Sequence, residues 1–508
     1  MTFNARLSGK FIARPVALVL LASALMVPSR LHADVSRAQE VRARVFKLLN
    51  EGIQAYKEGR QKDAIPLLRE AANTALSSFS AYYFLGLALK ADRQYQAAVE
   101  PLQVALELDP VNLQAHVALG DCYLRKGDPT EALAEYHRAL ALQDDYAPAW
   151  DGLGRAAETS GDDEKAIEHY RKAIKLNPGF PDPALNLGDL FMRDGRYLEA
   201  IDLFLQAIKV RPDFAAAYNR LGVAYSRMRL NNEAIAALRQ AETLEKGNPW
   251  HPVTIGGIFQ ELDSLVQAQR EFDAALKLDS EFLDAYVAQA GLQRRQGKLS
   301  EALAMLDQGM RRDVDDARTK SRMAEMKLKI EKEARLFAEL EARLAANPND
   351  TSALSAMAGL KSDLGDHAGA VALLKRADAA AGAPDNGRTA LLGYNALKAQ
   401  NYDEAAGAYE ALAKLMPTDA DIFINLGLAR IGTGEGSRAE AALREANRLR
   451  PGDMRPLAYL GNLYAMNGQK VKAIETLNAS LGLVGEGGAE RPRIQRLLKA
   501  LQGSSVAP

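Results

Sequence analysis

The chain has 508 residues, 48% of them hydrophobic and 25% charged, a balance that excludes a disordered chain. Lys plus Arg number 64 against 65 Asp plus Glu, and the net charge of -1 lacks the basic excess of a general nucleic-acid binder. The single Cys excludes an intrachain disulfide framework and a cysteine-rich metal site.

Residues 1–14 carry Arg6, Lys10 and Arg14 and no acid. An apolar run from Val16 to Val27 follows, bracketed by Pro15 and Pro28, and the small Ala33 precedes Asp34. This order predicts a secretory signal peptide cut near Ala33. It resembles a bacterial export signal, which implies a periplasmic or secreted chain. The alternative is an inner-membrane anchor formed by an uncleaved N-terminus. The run is shorter than the roughly 20 apolar residues that a bilayer span needs. No later stretch reads as a membrane helix, and Cys122 lies too far downstream for a lipoprotein.

From residue 45 onward the chain repeats itself. Gly86, Gly120, Gly154, Gly188, Gly222 and Gly256 stand 34 residues apart. Ala64, Ala98, Ala132, Ala166, Ala200, Ala234, Ala268 and Ala302 keep that spacing, as do Ala71, Ala105, Ala139, Ala173, Ala207, Ala241 and Ala275. The clearest copy, residues 147–180, holds Trp150, Leu153, Gly154, Gly161, Ala166, Tyr170, Ala173 and Pro178. The next, 181–214, holds Leu187, Gly188, Gly195, Ala200, Phe204, Ala207 and Pro212. This unit resembles the tetratricopeptide repeat. The resemblance implies an all-α, right-handed superhelical solenoid of antiparallel helix pairs. Copies begin at 45, 79, 113, 147, 181, 215, 249, 283, 317 and 351; one extra residue near Asp385 shifts the frame, and copies follow at 386, 420 and 454. Length alone suggests about three domains of roughly 150 residues. The period replaces them with one array of about 13 copies. Small residues let paired helices approach, and Tyr123, Trp150, Phe191 and Tyr225 fill the space between. No pair buries its apolar face alone, so stacking supplies the core.

Copies between 249 and 350 are weakest. Pro249 and Pro252 predict a late start for the first helix there. The unit at 317 has Ala324 and Glu331 where Gly is usual, and no breaker interrupts 317–346. Met323, Met326, Ile330, Phe337, Leu340 and Leu344 form a stripe at helical spacing. A degenerate repeat packed in the array is preferred; a rod, or a homodimer seam through 323–344, is the alternative. The expected organisation is a signal peptide (1–33), an N-terminal array (34–316), a degenerate repeat or long helix (317–350), a C-terminal array (351–487), a capping helix (488–502) and a disordered tail (503–508).

Catalytic signatures are missing. No P-loop, His-Glu-x-x-His or Gly-x-Ser-x-Gly element occurs. His116, His137, His169, His251 and His367 lack metal-ligand spacing. His137 and His169 take outward positions and read as solvated. Cys122 stands in a column of small and apolar residues and reads as core filler. Acidic pairs such as Asp162-Asp163 and Asp315-Asp316 read as helix caps. No enzyme, cofactor or metal site is predicted.

Function is therefore expected in the groove. By the resemblance, set positions of each first helix face the concave surface. These include Asp121, Arg125, Asp151, Arg155, Glu158, Asn186, Asp189, Arg193, Asn219, Arg220 and Arg227. Amide and guanidinium groups there suit an extended peptide. Asn186 and Arg220 match two of five positions of the family's carboxylate clamp, whereas Asp151, Arg155 and Ala216 do not. The C-terminal copies place Tyr394, Asn425, Tyr459 and Asn462 on this face, among Ile424, Leu428 and Met466. Such an apolar stretch marks a partner site. The expected function is an exported scaffold for protein partners in a cell-envelope assembly, including outer-membrane or secretion components. The alternatives are a superhelix guiding exopolysaccharide or binding glycan, and a non-catalytic subunit of an envelope enzyme.

Overall fold

The computed structural model describes residues 37, 39–484 and 490–503. The expected signal peptide and the end of the tail lie outside the described residues. All regular structure among those described is α-helical. Helices pair in chain order: α1 (39–57) with α2 (Gln61–Thr74), α3 (Phe79–Ala91) with α4 (Tyr95–Leu108), α5 (Leu113–Lys126) with α6 (Pro129–Leu142), and α7 (Ala147–Thr159) with α8 (Asp163–Leu176). They continue as α9 (Asp182–Arg193) and α10 (Tyr197–Val210), α11 (Ala215–Arg227) and α12 (Asn231–Leu244), α13 (Trp250–Glu261) and α14 (Leu265–Leu278), and α15 (Leu283–Arg295) and α16 (Leu299–Met310). Beyond the single helix α17 (Ala317–Ala346) come α18 (Thr351–Asp363) with α19 (His367–Ala381), α20 (Asn386–Lys398) with α21 (Tyr402–Leu415), α22 (Ala420–Gly432) with α23 (Gly436–Leu449), and α24 (Met454–Met466) with α25 (Lys470–Leu483). The last helix is α26 (Arg491–Gly503). The chain is an all-α solenoid of paired antiparallel helices, about 13 repeats long. It divides into two compact units, one ending at Asn186 and the other beginning at Leu187.

Local chemistry sets each pair. The turn between its helices needs one left-handed residue, and Gly127, Gly161, Gly297 and Gly468 supply it without a Cβ penalty. Asp162 accepts from the Lys165 amide and Asp316 from the Thr319 amide, so both cap helix starts as their positions suggested. Helix approach is set by the glycine column. A Cβ on Gly154 would lie 2.6 Å from ring carbons of Tyr170, and one on Gly86 2.5 Å from Leu102. The large residue sits in the second helix and packs against the bare backbone of the first. Ala64, Ala98 and Ala166 are fully buried at the same crossings.

Three sequence expectations change in detail. Residues Ala317–Ala346 form one helix of 30 residues in place of a helix pair. Its stripe is covered by its own chain: Met323 and Ile330 pack with Tyr286, Leu306 and Leu360, and Leu340 packs with Met357. A homodimer seam through 323–344 is corrected on that ground, because the apolar face is already occupied. Next, α13 begins at Trp250, with no late start. Pro252 falls in its first turn, where a missing N–H costs no helical bond. Finally, His169 is not a freely solvated side chain. It is half-buried, with its ring 5.5 Å from that of Trp150, and desolvation lowers its pKa. His137 is exposed.

Candidate partner-binding face

In the first unit, the predicted groove residues bind one another. Asp121 is the hub. It takes an ion pair from Lys90 of α3, a 2.6 Å contact from Arg155 Nη2 of α7 and a 2.9 Å hydrogen bond from the Tyr136 hydroxyl of α6. Arg155 Nε also donates to Asp151 at 3.0 Å, and the Asn186 amide donates to Asp151 at 2.8 Å. Burial by itself raises the Asp121 carboxyl, but the Arg155 and Lys90 charges outweigh it and bring it down to about 2. Burial raises Asp151, the less compensated of the two. These carboxylates are buried, so the network joins neighbouring first helices and offers little free hydrogen-bonding capacity. Arg125 is exposed beside it.

The second unit is more open. Asp189 is half-buried and pairs with the exposed Arg220 at 2.7 Å. Asn219 Nδ2 lies 3.1 Å from His251 Nδ1, and His251 is almost fully buried. Arg193 and Arg227 are exposed. Further on, Tyr394 is 47% exposed on α20, its ring 6.1 Å from that of His367 and 5.8 Å from Lys398 Nζ. Asn425 is half-buried on α22. Ile424, placed on this face by the sequence, is in the core. Met466 is exposed, while Tyr459 and Asn462 are half-buried on α24.

Tyr459 and Asn462 line a cavity of about 530 Å³ between α24 and α26. Its apolar floor includes Leu477 and Leu497, and Met228 and Arg229, at the end of α11, close one side. Arg455, Arg493 and Arg496 stand on its rim. Periodicity placed Tyr459 and Asn462, but it gave no sign of these arginines. The one available signal was Arg229 itself, which interrupts the glycine column at the turn.

Cys122 is fully buried, and burial pushes its thiol up to about 12. Among the described residues, no group of three or more His, Cys, Asp or Glu side chains could hold a metal ion, and no helix is long and apolar enough to cross a membrane.

Models of the tetratricopeptide repeat match residues 49–112, 112–178, 215–248, 391–454 and 424–487, and a TPR repeat model matches 188–228. Among solved structures, MamA is 26% identical, covering 32% of this chain and 95% of its own at a TM-score of 0.27. Pseudomonas aeruginosa pilF is 20% identical over 42% of this chain and 97% of its own, with a TM-score of 0.36. A tetratricopeptide repeat protein from Parabacteroides merdae is 18% identical over 46% and 93%, with a TM-score of 0.35. No curated protein matches the chain. Repeat models at both ends and in the middle, on a solenoid of helix pairs, place this chain in the tetratricopeptide repeat family.

Proposed function

We propose that this chain is an exported scaffold whose first-helix face gathers protein components of a cell-envelope assembly. The basic and apolar N-terminal segments support export. The binding reading rests on Tyr394, a large aromatic side chain exposed on a first helix between His367 and Lys398. Aromatic side chains in such positions are enriched where proteins meet. Asn425 and Asn462 add side-chain amides on the first helices of the following copies, suited to the backbone of a bound segment.

The test expresses the full chain with its N-terminal segment, crosslinks it in the envelope fraction and identifies what is captured. A recurrent set of envelope proteins is expected. Changing Tyr394→Ser and Tyr459→Ser together should weaken that capture and leave the helical circular-dichroism signal unchanged. Undiminished capture removes the site. Cytosolic partners alone, with no cleavage near Ala33, remove the export reading.

A further inference from the structure

The cavity under α26 combines an apolar floor with an excess of cations. Arg455 is already engaged, at 2.6 Å from Asp453 and 2.7 Å from Asp421. Arg493 sits 3.6 Å from Glu490, and both side chains are more than half exposed, so that pair is weak. Among the described residues no carboxylate pairs with Arg229 or Arg496. Arg229 and Arg496 therefore border the hollow without a paired carboxylate, and Glu490 is the one acidic side chain in its lining.

Arg229 adds a second observation. Its φ is 56°, at the turn position where Gly127, Gly161, Gly195 and Gly297 take the same left-handed conformation freely. A non-glycine residue there meets a Cβ clash that glycine avoids. Arg93, Asp263 and Gln400 accept that clash as well, so strain by itself marks no site. Arg229 differs in bordering this cavity with an unpaired charge.

The geometry points to a binding site for a carboxylate-bearing peptide segment of a protein partner, one that sets an apolar side chain on the floor and an acidic group between Arg229 and Arg496. The volume of about 530 Å³ falls in the range of compact ligand pockets. Met228 and Met454 give the lining adaptable side chains, suited to aliphatic anchors. An acidic sugar fits less well, since Tyr459 is the one aromatic ring in the lining. Planar guanidinium groups hold carboxylates in bidentate fashion. This deepens the partner-binding reading by naming the partner's chemistry at one site.

The experiment is fluorescence anisotropy with the purified chain and a labelled hexapeptide of alternating Glu and Leu. Saturable binding is expected, at least about tenfold tighter than for the Gln-for-Glu counterpart. Arg229→Gly and Arg496→Gln should each weaken it about fivefold or more. Arg229→Gly relieves backbone strain, so its unfolding midpoint should not fall, and lost binding then reports the missing charge. Equal binding of the neutral peptide, or unchanged binding by both variants, overturns the site. Displacement by tri-galacturonate at concentrations where the Glu/Leu peptide does not compete assigns it to anionic sugar and overturns the peptide assignment. If the peptide binds as expected while envelope capture fails, the scaffold reading falls and this site stands.

Discussion

His116 lies with both ring nitrogens against acceptors: Nδ1 is 2.7 Å from a Glu135 carboxylate oxygen and Nε2 is 3.0 Å from the Pro110 carbonyl. Only the imidazolium can donate to both. The Glu135 hydrogen bond leads the causes that raise its pKa, against the cost of burial and the nearby Arg138 charge. A raised folded value means the folded chain holds this proton more tightly than the unfolded one. The stabilisation is full below the unfolded value of about 6.5 and is lost as pH rises through the folded value. Urea midpoints should therefore fall above about pH 6.5, and His116→Gln should flatten that part of the profile. Equal slopes for the two proteins would count against the charged ring.

Glycines give a paired test at the same scale. In an ordinary helix interior, Gly to Ala gains about 0.5–1 kcal/mol. Gly359 meets nothing within 4 Å, so Gly359→Ala should show that gain in urea unfolding. Gly154→Ala drives a methyl to 2.6 Å from Tyr170, and overpacking of about 1–3 kcal/mol should outweigh the propensity gain. A raised midpoint for Gly154→Ala would contradict the crossing. The glycine column was legible in the sequence, since its period is that of the repeat. The Asp121 network was only half legible. Asp121 and Arg155 occupy the same position one period apart, a signal of pairing, yet they read as independent groove residues. Spacing along a chain fixes the face of a helix, whereas rotamers and burial decide whether a charge meets a ligand or a neighbour.

Among the elements, α17 departs most from the period. Glu331 stands at the turn position, and the helix runs straight through it. Its missing breaker and apolar stripe were visible in the sequence. What covers the stripe was not, because periodicity defines a face and leaves its occupant open. Arg294 also clamps Glu333 with contacts of 2.7 and 2.6 Å, tying the middle of α17 to α15. Ile330 is fully buried, so Ile330→Ala should cost about 2–5 kcal/mol, at a urea midpoint that does not move with protein concentration. A midpoint that falls on dilution would restore a dimer seam. Glu333 therefore has its partner within the chain.

Across the whole molecule, the repeat period explains why the fold was readable and the site less so. Each unit makes its contacts with its neighbours, so local columns of Gly, Ala and large apolar residues specify the architecture copy by copy. The cavity under α26 instead joins Arg229 to residues near the end of the chain, far apart in sequence and outside any column. Ile424 shows the converse limit: a position facing outward in one copy is buried in another. Within that frame, the central claim is that partners meet the first helices of the C-terminal copies. Tyr394 on α20 and Val471 on α25 are both exposed, but on a first and a second helix. A photoreactive residue placed at each position in turn tests the claim most directly. Adducts with envelope proteins from position 394, and none from 471, are the predicted result. Adducts from 471 with none from 394 would contradict it.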